Sequence, residues 1–559
     1  MKNIYKLFLV SLLTGGLFFS CETTELDLAD NPNALTADQA SIDLFVNSIQ
    51  LAFAGGIEGV NGLGAQLTRI EPFAGRDYLN ALQPGTLNGF WGNAYPGMFA
   101  DIAEMTPLAE AQGFSNHLGV ARALQAYYLV ALVDMIGDVP FSEANNALEF
   151  PLPSVDSAAS VYAAALDLLD QADSNFGDSD APDLEVDFYY QNDFDNWRRF
   201  TNTVRMKIFL QTRLVDSDAI SSFNAIVNTG NFIQDSSQDF EFPWGSNLQQ
   251  PGTRHPEYGA NYTPSGANVY RSNWLMNLMT TTGDTRTRYY FLRQTNCTPG
   301  ASCMPDGDEQ NLQCSLQMPP QHYIDQGFGN LFCFLEDGFW GRDHGNSEGI
   351  PPDGLLRTSS GVYPSAGVFD DDTFDGESLL DAGGQGAGIS PFLLSSFVDF
   401  WRAEVALVSG NAPVAGDFIE AAIGKSLEKV QGFGAVDPGA DAAFFPTAAE
   451  NDAFISMIRA SYDTAATPED QWNILAEQYW VTLYGAGIDA YNFYRRTGFP
   501  TTLQPNLEPD PGAFPRSMFY PLSEATTNSN ITQKANLNEQ IFWDTNPASA
   551  ATGGFPASN

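Results

Sequence analysis

Positive charge is what this 559-residue chain has least of: 25 Lys+Arg stand against 68 Asp+Glu, a formal net charge of −43. A surface so negative repels phosphate backbones, which argues against a nucleic-acid partner. Histidine is scarce too. The four, His117, His255, His322 and His344, are scattered without metal-ligand spacing. There is no HExxH, no G-x-S-x-G elbow and no phosphate-cradling glycine loop, so the common zinc, serine-hydrolase and nucleotide chemistries lack their residues. Glycoside hydrolysis needs only two carboxylates across a cleft, and counting among 68 acids neither finds nor removes such a pair. No apolar run is long enough to span a bilayer; the longest candidate, LFLVSLLTGGLFFS (7–20), has 14 residues against the ~20 a spanning helix needs.

That short run is instead placed like a secretory signal, with Lys2 and Lys6 before it. It ends in Leu17-Phe18-Phe19-Ser20-Cys21, which resembles a lipobox with a bulky Phe19. In that reading residues 1–20 are removed, Cys21 becomes the lipidated first residue, and 21–35 form the linker to the anchor. Two or more acyl chains hold a protein firmly on a membrane, where one holds it only marginally. The other four cysteines, Cys297, Cys303, Cys314 and Cys333, fall in one loop-rich stretch of an exported chain and suggest two disulfides, with all three pairings open. Zinc is the weaker reading, because there is no CxxC pair.

At 43% hydrophobic and 13% aromatic residues the chain can build a large core. Its periodicity predicts a helix from about Thr36, a Gly-rich stretch to about Gly89, and helices over 90–111, 117–136, 155–174 and 196–215. Helical spacing returns at 391–409, 413–431, 450–462, 467–485 and 488–496. Between them, 216–390 is rich in Gly, Pro and aromatics with little helical period. Helix pairs of roughly 35–40 residues are like those of tetratricopeptide architecture, although the repeats are too degenerate for period alone to establish it. The expected fold is mostly α: one domain over 36–559, a helical scaffold (about 36–215 and 391–500) carrying a large irregular insertion (about 216–390).

Several stretches together resemble the SusD/RagB family of surface glycan-binding lipoproteins. IGDVPFSEA (136–144) after RALQAYYLVALVD looks like its "GDVPYSEA" signature, and WRRFTNTVRMKIFLQTR (197–213) like its W-x-K/R-F-x-N helix. ISPFLLSSFVDFWRAEVALVSGN (389–411) is similar to a third motif, although Ser396–Asp399 depart from it. WNILAEQYWVTLYGAGIDAYNFYRRTGFP (472–500) and PRSMFYPLSEATTNSNI (515–531) complete the order. These motifs read as scaffold: Gly137 and Pro140 end a helix, and Arg495 and Arg496 satisfy buried carbonyls or carboxylates. Trp91, Trp197, Trp472 and Trp480 read as core residues. The resemblance implies a non-catalytic, lipid-anchored protein exposed on a Bacteroidetes-type outer membrane, consistent with the acids Glu22, Glu25 and Asp27 after the cysteine. It further implies a SusC-type TonB-dependent transporter as partner, over which the protein acts as a lid. A peptide-capturing RagB-like lid and a carbohydrate-active enzyme are the alternatives.

The resemblance implies a glycan platform built from an N-terminal loop and the insertion. On this chain these are QLTRIEPFAGRDYLNALQPG (66–85), with Arg76, Asp77 and Tyr78, and FGNLFCFLEDGFWGRDHGN (328–346), with Trp340, Arg342, Asp343 and His344. Tyr270 and Trp274 are second choices, Trp274 with a competing role in the core. DDDTFDGE (370–377) holds half of an EF-hand loop, with Asp371 and Asp375 as weak calcium candidates; Ala382 stands where the closing glutamate belongs. No other cofactor is expected. The acidic balance favours a neutral glycan, such as a laminarin-like β-glucan, starch-like glucan, xylan or chitin-type oligomer, over a polyanion.

Overall fold

The apolar spacing after Ser41 winds into one long helix, α1 (Ile42–Leu67). The computed structural model describes residues 41–296, 317–333, 335–346, 353–374, 380–548 and 555–556. The expected signal peptide and linker, Cys21, Cys297, Cys303, Cys314 and Asp375 lie outside the described residues. From Ile42 onward the chain is one compact unit.

Helix α1 runs into the Gly-rich stretch that the sequence placed after its first helix, and ends at Leu67. Each glycine costs a helix roughly 1 kcal/mol relative to alanine, and contact geometry explains two of them, Gly56 and Gly64. A Cβ at Gly56 would lie 2.0 Å from the Tyr128 hydroxyl, and one at Gly64 would lie 2.4 Å from the Gly487 carbonyl oxygen. The helix that starts at Gly487 is correspondingly pressed onto α1, and the Ile488 N–H donates to Asn61 Oδ1 at 3.3 Å.

The first half of the scaffold continues with α2 (Ala100–Gln112), α3 (Ser115–Ile136), α4 (Ala158–Asn175), α5 (Phe194–Thr212) and α6 (Ala219–Thr229). Consecutive members pack against each other, and the mostly buried α3 also packs on α1 and α5. Gly137 ends α3 with φ +102°, donating its N–H to Val133 O at 2.8 Å; its ψ of −122° is outside the left-handed helical region. Helix α6 corrects the reading of residues after 215 as non-helical: only Ala219 and Phe223 of it are buried, too few for a clear stripe.

The insertion is clamped at both ends. Strand β1 (Phe240–Pro243) pairs antiparallel with β4 (Ile389–Leu393), Phe242 opposite Ser390. Between them lie α7 (Asn273–Thr282) and the short pair β2 (Phe291–Leu292) with β3 (Ser359–Ser360). The second half of the scaffold is α8 (Ser395–Val408), α9 (Ala412–Gly432), α10 (Ala448–Asp463), α11 (Pro468–Thr482) and α12 (Gly487–Thr497). Helices α8 and α9 form its main antiparallel contact, and α12 returns to α1.

The signature arginines act as the sequence suggested. Arg495 donates to Arg516 O (2.6 Å) and Asp134 O (2.8 Å), while Arg496 forks onto Glu404 with two bonds of 2.7 Å. Arg213 meets the same carboxylate at 2.9 Å. Trp91, Trp197 and Trp480 are buried. Trp472 is half-buried and stacks on Phe499 at 5.5 Å.

Candidate functional site

The two segments expected to form the platform do meet, but with their rings turned inward. Gly345 N–H donates to Phe73 O at 2.8 Å, and the Tyr78 hydroxyl lies 2.8 Å from His344 Nε2. Phe73 stacks on His344, Arg69 reaches Tyr78, and burial together with Arg69 holds the His344 imidazole well below its ordinary pKa. Asp343 is equally enclosed. The Tyr323 hydroxyl donates to it at 2.5 Å, and burial pushes its carboxyl up to about 6.

Trp340 is 2% exposed and donates its backbone N–H to Thr358 Oγ1 at 2.8 Å; Trp274 is buried and donates its indole N–H to Thr502 O at 3.0 Å. The assignment of Tyr78, Trp274, Trp340, Asp343 and His344 to a ligand surface is therefore corrected: a ring or carboxylate sealed in the core has no face left for a sugar. Arg342 is buried as well, with its guanidinium 3.9 Å from the Tyr270 ring centroid, and Arg357 lies at the same distance from that ring. Tyr270 also bonds Asp353, so its ring is occupied by protein groups. Asp77 caps the short helix Tyr78–Ala81 through Asn80 N at 2.8 Å. Of the named residues Arg76 is the most open, its side chain 56% exposed and 3.9 Å from Glu508.

Cys333 is disulfide-bonded, and its partner lies outside the described residues. Asp371 accepts backbone N–H groups from Thr373 and Asp441, both at 3.3 Å. Among the described residues no group of three His, Cys, Asp or Glu is placed to hold a metal ion.

The insertion does open a cleft of about 860 Å³, one residue away from Trp340. Phe339 lines it, whereas Trp340 is buried. One wall is the end of α7. Thr280, Thr282 and Thr287 give their hydroxyl protons to Met276 O, Leu278 O and Asp284 O, so their oxygens face outward as acceptors. Gly283 closes α7 in the left-handed region at φ +65°. Behind it, buried Arg286 grips Asp284 (2.9 and 2.6 Å) and reaches Ser426 of α9 and Thr482 of α11, fixing the wall to the scaffold.

The opposite wall comes from the scaffold. The turn Ala442–Phe444 is capped by Asp441, and Phe445 packs edge-on against Phe369 and, tilted, against Tyr289. Thr447 and Glu450 then form a capping box that starts α10, which contributes Phe454 and Met457.

Two arginines join these walls. The Arg288 guanidinium lies 5.0 Å from the Phe444 centroid, and that of Arg293 lies 5.1 Å from both Phe339 and Phe374. Asp370 and Asp372 hold both: Arg288 bonds Asp372 at 3.0 and 3.1 Å, and Arg293 bonds Asp370 at 2.7 and 2.9 Å. The hydrogen bonds and charges of Arg288 and Arg293 hold the Asp372 carboxyl below its usual range. Volume, apolar faces and sparse fixed polar groups place this cleft within the range of small-molecule sites. Sequence reasoning missed Phe444, Phe445, Arg288 and Arg293, which lie up to 157 positions apart. The one local signal was the capping pattern at Thr447, which marks a helix start and not a site.

A helical scaffold with a clamped, loop-rich insertion and an open aromatic cleft defines a binding protein of the SusD-like class. The family model described as "Starch-binding associating with outer membrane" matches residues 62–317, and that described as "Susd and RagB outer membrane lipoprotein" matches 389–542. The chain belongs to the SusD/RagB family of outer-membrane lipoproteins. No curated protein matches it.

Solved structures share the fold. A SusD/RagB family protein from Bacteroides thetaiotaomicron is 15% identical with a TM-score of 0.63, over 90% of this chain and 99% of that one. A chitin-binding SusD homolog from Flavobacterium johnsoniae is 16% identical with a TM-score of 0.60, over 89% and 99%. A SusD homolog from Bacteroides uniformis is 17% identical with a TM-score of 0.61, over 89% and 99%.

Proposed function

We propose that this lipoprotein captures an oligo- or polysaccharide at the cell surface in the Phe339–Phe444 cleft and passes it to a SusC-type TonB-dependent barrel. The observation that carries the reading is the juxtaposition in one open cleft of phenylalanine faces with hydroxyl oxygens and held arginine–aspartate pairs. Pyranose rings have apolar C–H faces that settle on aromatic rings, while their hydroxyls seek fixed acceptors. The family descriptions of starch binding and outer-membrane association support it, as does the chitin-binding homolog of the same fold. Such a lid does no chemistry; ligand contact shifts its equilibrium between open and closed positions.

Affinity electrophoresis of the soluble protein from Glu22 onward, against a panel of neutral and anionic polysaccharides, tests the capture step. Retardation by a glycan, relieved in Phe339→Ala and Phe444→Ala, is the expected result. Retardation unchanged in both variants would move the site elsewhere. Co-purification of the lipidated protein with a TonB-dependent barrel tests delivery, and its failure under conditions that preserve membrane complexes would count against it.

A further inference from the structure

Two guanidiniums at the edge of a glycan cleft would ordinarily suit carboxylated or sulfated sugars, because Arg forks match such anions. Here their charge is already matched. Asp370 and Asp372 together face Arg288 and Arg293, two charges against two, at the distances given above. Asp370 is buried and also accepts the Arg293 backbone N–H at 3.2 Å, which fixes the pair in place. Arg293 spends a further donor on Asp337 O at 3.1 Å.

Beside these held arginines, the polar groups that line the cleft accept hydrogen bonds: the Thr280, Thr282 and Thr287 oxygens and the exposed carboxylates of Asp337 and Glu450. Among the described residues no cation pairs with either of those carboxylates. Buried Asp284 is matched by Arg286 and adds no net charge. The cleft is thus locally negative, with its two cations already matched, which repels an anion.

We infer that Asp370 and Asp372 set the specificity of this cleft, masking Arg288 and Arg293 so that it takes uncharged, hydroxyl-donating oligosaccharides and rejects uronate-bearing or sulfated ones. The inference rests on the glycan-binding reading and adds to it the selecting residues. Asp372 is the side chain to change, because it is partly exposed while Asp370 also holds backbone. In Asp372→Asn one masking charge is gone and Arg288, 33% exposed, can turn to the ligand.

Calorimetry would compare a neutral oligosaccharide with a hexuronate oligosaccharide of equal length, at low and high salt, on the wild type, Asp372→Asn and Asp372→Asn/Arg288→Met. Expected are neutral-only binding by the wild type, a gain of about tenfold or more in hexuronate affinity in Asp372→Asn, and loss of that gain in the double variant and at high salt. Equal binding of both sugars by the wild type would overturn the inference while leaving the glycan reading intact. So would a folded Asp372→Asn that binds the neutral sugar without any gain for the hexuronate. A wild type that binds neither sugar, nor any glycan of the panel, would overturn both.

Discussion

Glu404 is the place where the scaffold's stability is most open to measurement. Its carboxylate is fully buried and is held by Arg496 through two bonds of 2.7 Å and by Arg213 at 2.9 Å. Removing one partner of a buried charge group typically costs about 3–5 kcal/mol, because the charges left behind stay desolvated. In Glu404→Ala two buried guanidiniums would face each other with no carboxylate between them, so the upper part of that range is expected. Glu404→Gln keeps the shape and one acceptor and should lose less.

The assay is urea unfolding followed by tryptophan fluorescence, with the slope checked so that a shifted midpoint reports stability alone. There is also a pH signature. Burial by itself would raise the Glu404 pKa, but the two arginines outweigh it and the net shift is downward. A lowered folded-state pKa gives stability that is present above the unfolded value, near 4.5, and is lost as pH falls through the folded one. Glu404→Ala should lack that acid-side loss. A cost under about 1 kcal/mol, or an unchanged acid limb, would refute the reasoning. The exposed cluster around Arg459, bonded to Asp417 at 2.7 Å, is the internal control: Asp417→Asn should barely move the curve.

Other substitutions separate scaffold from site. Gly487→Ala sets a methyl 2.0 Å from the Ala65 nitrogen, so unfolding should show a loss of about 1–3 kcal/mol or more as α1 and α12 are forced apart. Trp340→Ala empties a core position and should cost about 3–5 kcal/mol, whereas neighbouring Phe339→Ala, at a partly buried position, should cost clearly less and lower glycan affinity in calorimetry. The Asp343 carboxyl is raised by burial to about 6, so its contribution is present below the unfolded value of 3.8 and is lost as pH rises through about 6. Asp343→Asn should remove that fall, seen as a flatter difference curve in denaturation between those pH values.

Helix existence was legible because helices such as α4 and α9 bury a regular apolar stripe, and their ends agree with the sequence within a few residues. Helix α1 defeated the reading because two of its glycines, Gly56 and Gly64, answer to Tyr128 and Gly487, partners remote in sequence, and not to local propensity. The site was legible only to its neighbourhood. The family resemblance brought the reading to residues 328–346, but whether Phe339 or Trp340 faces the cleft depends on tertiary packing, with Thr358 behind Trp340. Tyr78 and His344 were rightly placed near each other, yet a Tyr–His contact looks the same in sequence whether it seals a core or opens to solvent. The far wall, Phe444 and Phe445, is joined to the insertion only by tertiary structure.

The measurement that bears most directly on the account is a calorimetric titration of the soluble protein with the oligosaccharide released from whichever polysaccharide retards it, repeated on Phe444→Ala. Saturable binding by the wild type, weakened about tenfold or more once the Phe444 face is gone, is the predicted result. Undiminished binding by the variant would remove the cleft from the account, and binding of peptides in place of any glycan would contradict its central claim.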